Sequence, residues 1–261
     1  MAICSLSRTR LKCRIAAFLS PLLVTKQDEQ QYQYTPLKTN QIRLLKLHPG
    51  QPGSQIECTI KAVDLLACDD FNSENTNDKD WEWFHAVSYA WGKGARSVKI
   101  KCNGLVAYIS QTLADALQTF REKDDLILWI DALCINQNDI RERAAQVKLM
   151  DLIYFKARRV RIWLGRDDEA DAVHSAEGAA DLIKTFAELW NSCRDGDICE
   201  VSERLFQDPD IALLPQWEGI RRLYQRPWFS RVWVVQELGL AEDATFYSGQ
   251  GDAKQHKHAN D

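Results

Sequence analysis

The hydrophobic pattern is most regular between Leu126 and Gly165, where two short apolar runs, Leu126–Leu133 and Val160–Leu164, bracket a helical repeat. Runs this short and this rich in Ile, Val, Leu and Trp suit strands buried on both faces. Asp139 followed by Glu142 predicts a capped helix start. Val147, Met150, Tyr154 and Ala157 then recur at helical spacing and predict one buried face. Strand, helix, strand implies a βαβ unit with parallel strands and a right-handed crossover.

Upstream, Gln41–Leu47 and Ile56–Val63 read as strands around a Pro/Gly turn at His48–Ser54, a hairpin expected at a sheet edge. Phe84–Trp91 is the next strand, ended by Gly92 and Gly94. Asn103-Gly104 between Ser97–Cys102 and Leu105–Ser110 predicts a type I′ hairpin. Thr112–Lys123 follows as an amphipathic helix with Leu113, Ala116, Leu117 and Phe120 on one side. Downstream, Ala176–Trp190, Trp217–Tyr224 and Trp228–Leu240 read as helices and Ala244–Tyr247 as a last strand. Asp69–Asp80, the acidic Arg166–Asp171 and Asn191–Asp210 read as loops. The expected fold is therefore α/β: a mainly parallel, doubly wound central sheet with flanking helices and a β-hairpin insert.

Composition narrows the classes. Hydrophobic content of 45%, charged content of 27% and a net charge of -4 describe an ordinary soluble domain with no basic stripe, which argues against nucleic acid as a partner. No apolar run reaches the length of a membrane span. The eight cysteines include no C-x-x-C spacing, and no Asn-x-Ser/Thr sequon occurs, a combination that fits a reducing, cytoplasmic setting rather than a zinc site or a secreted disulfide scaffold. His256 and His258 lack further ligands, so no metal is expected. Residues 1–27 carry five Lys/Arg and no acid around the apolar Ile15–Val24. They are read as an irregular extension, because Pro21 breaks the run; the alternative is a targeting segment. The organisation expected is thus an extension and linker over 1–40, one domain over 41–249 and a disordered tail over 250–261.

Three blocks carry a family resemblance. HAVSYAWG at His85–Gly92, LWIDALCINQNDIRERAAQVKLMDLIYFKARRVRIWLG ending at Gly165, and RPWFSRVWVVQE at Arg226–Glu237 resemble, in order, the blocks of the fungal heterokaryon-incompatibility (HET) domain. The likeness covers roughly Phe84 to Gly249 and implies a fungal source and a role in non-self recognition and regulated cell death. SRVWVVQELGLA, Ser230–Ala241, is similar to the Trp-Cys-Leu-x-Glu-Leu helix of TIR (Toll/interleukin receptor) domains, and the strand order around it matches as well. Many TIR domains cleave NAD at the nicotinamide–ribose bond with a glutamate on that helix. That resemblance implies NAD as a substrate rather than a bound cofactor, and Glu237 as the catalytic carboxylate.

Ligands of open α/β sheets sit outside the carboxyl ends of the strands. There the pattern places Ser88, Tyr89, Trp91 and Gly92 after one strand, and Asp131, Asn136 and Gln137 after another; with Trp233 they are the candidate substrate-binding residues. Trp91 or Tyr89 would stack on the nicotinamide. The competing readings are structural. Glu237 pairs with Arg231 or Arg226; Asp131 caps the following helix or pairs with Arg141 or Arg143; Cys134 is a buried small hydrophobe; most of the nine Trp are core. A second functional class also stands: a non-enzymatic death-signalling module that acts by self-association or by recruiting a signalling protein through the Trp- and Arg-rich Arg226–Glu237 segment. A third alternative is an inactive truncated copy, since the chain stops soon after Glu237.

Overall fold

A computed structural model describes residues 30–67, 81, 83–166, 178–184, 214 and 216–249. The extension over 1–27, the loops Asp69–Asp80 and Asn191–Asp210 and the tail over 250–261 lie outside the described residues, as do parts of Arg166–Asp171 and Ala176–Trp190. The chain divides into two units, Met1–Gln31 and Tyr32–Asp261, and the account below concerns the second.

Eight strands form one sheet: β1 (Gln41–Leu47), β2 (Glu57–Asp64), β3 (His85–Tyr89), β4 (Val98–Cys102), β5 (Leu105–Ile109), β6 (Leu126–Trp129), β7 (Arg159–Arg166) and β8 (Ala244–Gly249). The helices among the described residues are α1 (Gln111–Phe120), α2 (Asp131–Cys134), α3 (Ile140–Val147), α4 (Met150–Lys156), α5 (residues 178–184), α6 (Gln216–Tyr224) and α7 (Val234–Gly239). None of them is long and apolar enough to cross a membrane.

The sheet order is β5-β4-β2-β1-β6-β3-β7-β8. Its right half, β6-β3-β7-β8, is parallel throughout and, taken in chain order, runs second, first, third, fourth. That is the flavodoxin-like winding order. Its left half is mixed: β1 is antiparallel to β2 and β6, β4 is antiparallel to β5, and only β2–β4 is parallel. The fold is α/β as expected, with parallel pairing concentrated in one half. The β1–β2 hairpin is not at an edge. β6 pairs with β1 and β4 with β2, so both outer sides of the hairpin are occupied, and Ile42 to Leu45 are all buried. Asn103 and Gly104 take φ of 53° and 78°, both left-handed, as the type I′ turn between β4 and β5 requires.

Two tryptophans on the strands that flank β3 face opposite ways. Trp129 on β6 aligns with Ala86 and packs edge-on to Tyr154 of α4, with ring centroids 5.8 Å apart. Trp163 on β7 aligns with Tyr89 and Tyr247 and meets Phe120 of α1 at 6.4 Å. Helices therefore cover both faces, and the strands read as continuous apolar runs for that reason. The unit from β6 to β7 crosses over β3, which lies between them.

The helical stretch between β6 and β7 is broken, because α3 ends at Val147 and α4 starts at Met150. Met150, Tyr154 and Ala157 are buried as the repeat predicts, whereas Val147 is exposed. Asp139 caps α3 as expected, accepting from the Arg141 and Glu142 amides. Glu142 does not return to its cap. It accepts from the Asn136 amide at 2.7 Å and from both Nη atoms of Arg43 at 2.6 and 3.0 Å. Arg43 is fully buried in β1 and also donates to the carbonyls of Cys134 and Thr35. This fork clamps the loop after β6 to the centre of the sheet.

Removing one partner of a buried pair leaves the other charge uncompensated. Arg43→Met and Glu142→Met are each expected to lower unfolding free energy by about 3–5 kcal/mol, and the double variant by clearly less than their sum. Urea denaturation of the four proteins checks this; strict additivity would remove the clamp from the account.

Candidate functional site

Three segments meet in a buried polar cluster at the carboxyl end of the parallel half. β3 brings Ser88, which is buried with its side chain on the α4 side of the sheet. The turn after Pro227 brings Trp228, and the start of α7 brings Glu237. Pro227 explains the local form. It sits at the first position of a short 3-10 turn, Pro227–Ser230, so α7 starts only at Val234 rather than continuing from Trp228. Arg226 ties this segment to the sheet by donating to the carbonyls of Leu164 and Gly165 at the end of β7.

Glu237 is 1% exposed. Arg231 grips it with both prongs, Nη2 to Oε1 at 2.6 Å and Nη1 to Oε2 at 2.9 Å. The Ser88 hydroxyl donates to Oε2 and accepts from the Trp228 indole N–H at 2.7 Å and from Arg231 Nη1 at 3.4 Å. Hydroxyl, carboxylate and indole are thereby all satisfied in a desolvated site. Carboxylate and guanidinium within this grip are held in one geometry, with the cation on the solvent side: the Arg231 side chain is 20% exposed and that of Glu237 2%.

A second group lies beside it. Asp131, at the first turn after β6, accepts from its own neighbour's amide, Ala132, at 2.7 Å and from the Trp91 indole at 2.8 Å. Burial pushes its carboxyl up to about 6, against the Trp91 and Ala132 hydrogen bonds, which lower it; Arg231 lowers it and Glu237 raises it as well. Its carbonyl accepts from the Gln137 side chain, which orders the loop. Tyr89, Trp91, Gly92 and Arg96 line a small cavity of about 70 Å³ with Ala132. That volume takes one ring or one anionic group and is too small for a dinucleotide.

The residues expected at a substrate site are thus divided. Ser88 and Glu237 meet directly; Tyr89, Trp91 and Gly92 share the cavity, with Asp131 bonded to Trp91. Asn136 and Gln137 bond only within their own loop and to Asp131 and Glu142. Trp233 stands apart, 47% exposed at the cap of α7, so it is not core. Trp129, Trp163 and Trp228 are core, and Cys134 is buried with its thiol pushed up to about 12 by burial. The Glu237–Arg231 pairing is the structural alternative seen in the sequence. Asp131 does not cap the following helix: it is the first residue of α2, whose cap position is Ile130, and its carboxylate accepts from the next amide, that of Ala132. Two participants were not singled out beforehand. Trp228 had a usable signal, because a core Trp needs an acceptor for its N–H. Arg96 had a weaker one, a cation in the glycine loop after β3.

The raised carboxyl of Asp131 has a pH consequence. Between pH 4 and 6 the folded chain binds more protons than the unfolded one, so this group makes stability fall as pH rises through that window. Asp131→Asn lacks the titration. Its stability relative to wild type is expected to improve steadily from pH 4 to pH 6.5, read by urea midpoints; a gap that is flat across the window would contradict the raised carboxyl.

Comparison with known proteins places this geometry. The family model described as heterokaryon incompatibility protein (HET) matches residues 84–237, from the residue before β3 to the buried glutamate. Heterokaryon incompatibility protein 6, OR allele, of Neurospora crassa is 30% identical over 238 residues, covering 80% of this chain. The chain spans about a third of that relative's length, 33%. No solved structure matches. The three blocks that supply the buried cluster and the cavity beside it thus fall inside one matched region, and the chain belongs to the fungal heterokaryon-incompatibility family.

Proposed function

We propose that this chain is an effector of fungal non-self recognition and regulated cell death that acts in the cytoplasm by hydrolysing NAD, with Glu237 as the catalytic carboxylate. The observation that carries the reading is position. In a flavodoxin-like order the ligand crevice lies at the carboxyl ends of the strands where the winding reverses, here between β3 and β7. Ser88, Trp228 and Glu237 converge at that point. The TIR-like sequence around Glu237 supports the same reaction.

Cleavage of the nicotinamide–ribose bond leaves its electron pair on nicotinamide, which departs neutral. The ribose carbon becomes cationic and is taken by water, which releases a proton and gives ADP-ribose. A carboxylate at the developing oxocarbenium stabilises it electrostatically, and Ser88 orients that carboxylate. An exposed indole such as Trp91 stacks on the leaving ring. As folded here, the carboxylate is occupied by Arg231, so substrate entry requires that guanidinium to move outward. In this reading hydrolysis takes place when the domains are clustered.

A second reading has its own observation. Val232 and Val235 are 86% and 80% exposed beside Trp233, and Phe155 of the adjoining α4 is exposed too. A contiguous apolar surface of this kind suits self-association or a signalling protein partner. In that reading the chain recruits and does not catalyse.

NAD consumption by purified protein, free and clustered on a scaffold, separates the two. Clustered wild type is expected to consume NAD, and Glu237→Gln to lose at least a hundredfold in rate while staying folded. A Val232→Asp/Val235→Asp variant that loses cell killing, together with a Glu237→Gln variant that keeps it, would instead establish the associative reading.

A further inference from the structure

The opposite end of the parallel strands holds a larger opening. A cleft of about 1210 Å³ lies where β3 and β7 begin, walled by the Pro49–Pro52 turn and the segment after α1. It is large enough for a metabolite of nucleotide size. Its charges do not cancel. Arg159 is matched by Asp243 and Arg161 by Glu122, each at 2.6 Å. With those pairs set aside, Arg121, Lys123 and Arg158 face Asp124 alone, a local surplus of two positive charges in a chain of net charge -4.

Arg121 is the most buried of the three. It is 9% exposed, and its Nη atoms are spent on neutral acceptors, the carbonyls of Ser54 at 3.2 Å and Gln55 at 2.5 Å and the Ser54 hydroxyl at 2.8 Å. Among the described residues no carboxylate pairs with it, and its buried Nε finds no acceptor. Burial disfavours the charged guanidinium, and Glu57, too far to form an ion pair, offsets this only through space; an anion in the adjoining cleft would offset it further. Gly50 is part of the arrangement, since a Cβ there would stand 2.6 Å from Nη1. His85 adds a neutral donor. Its Nδ1 accepts from Arg161 Nε at 2.8 Å, and burial with Arg161 and Arg159 holds its titration down at about 4, so Nε2 carries the hydrogen. Tyr247 supplies an aromatic wall.

We infer that this amino-end cleft binds a phosphate-bearing small molecule, its anionic group opposite Arg121, Lys123 and Arg158 and its organic part against Tyr247 and the Pro49–Pro52 turn. A phosphate ester carries between about one and a half and two negative charges at neutral pH, which matches the surplus. The site is independent of Glu237 and of the NAD reading.

Calorimetric titration of the full chain with inorganic pyrophosphate and with ATP tests it. Saturable binding is expected, weakened at least tenfold by Lys123→Glu with Arg158→Glu, two exposed positions, and unchanged by the exposed control Lys38→Glu. ATP is also expected to protect Lys123 from acylation in the wild-type protein, a readout that needs no variant. The inference is overturned if neither probe binds saturably at millimolar concentration, if the charge-reversed chain binds like wild type, or if Lys38→Glu weakens binding equally. A hexaglutamate peptide that binds where both phosphates fail would equally overturn the phosphate assignment.

Discussion

A carboxylate removed from water at the carboxyl end of β3 sets the terms for everything around it. Glu237 is tolerated there because Arg231 supplies the charge and Ser88 the hydrogen bond, and Ser88 is itself held by Trp228. Each partner comes from a different part of the chain, so the group forms only when β3, the Pro227 turn and α7 are all in place. A half-made version would be worse than an apolar core, which couples the site to the integrity of the fold.

The loop after β6 is held by a second fork, Arg43 on Glu142, acting from the middle of the sheet. Its effect on the site is indirect. It fixes the segment whose first residue, Asp131, meets Trp91, and whose Gln137 bonds back to Asp131. Polar residues in this block that look like ligands in a linear reading are therefore mostly occupied in shaping a loop. The candidate residues left outside that loop are those around the small cavity, Tyr89, Trp91 and Gly92, together with Arg96.

The two ends of the parallel strands differ in electrostatic character. At the carboxyl end the charges are closed on one another and nearly dry, with Glu237 and Arg231 paired. At the amino end cations outnumber acids around an open cleft, and one buried guanidinium has only neutral acceptors. The sheet thus separates a closed ion pair from an open cleft with a surplus of cations.

Much of this was legible in the chain itself. Short Ile/Val/Leu/Trp runs located β6 and β7, although the run predicted over Leu126–Leu133 leaves the strand after Trp129 and turns helical at Asp131; Asn103-Gly104 admits little besides a tight hairpin turn, a local consequence of backbone freedom. The capping role of Asp139 was readable for the same reason. Placement was not. β1 and β2 look like an edge hairpin because hairpins are local, yet β1 lies inside the sheet; strand neighbours are chosen by long-range burial. The pairing of Trp228 with Ser88, 140 positions apart, and the turn of Glu142 away from its cap toward Arg43 likewise depend on which elements pack together. Local periodicity determined the elements and their order, and only the tertiary structure decided which buried polar groups satisfy one another, because that choice is made by residues far apart in sequence.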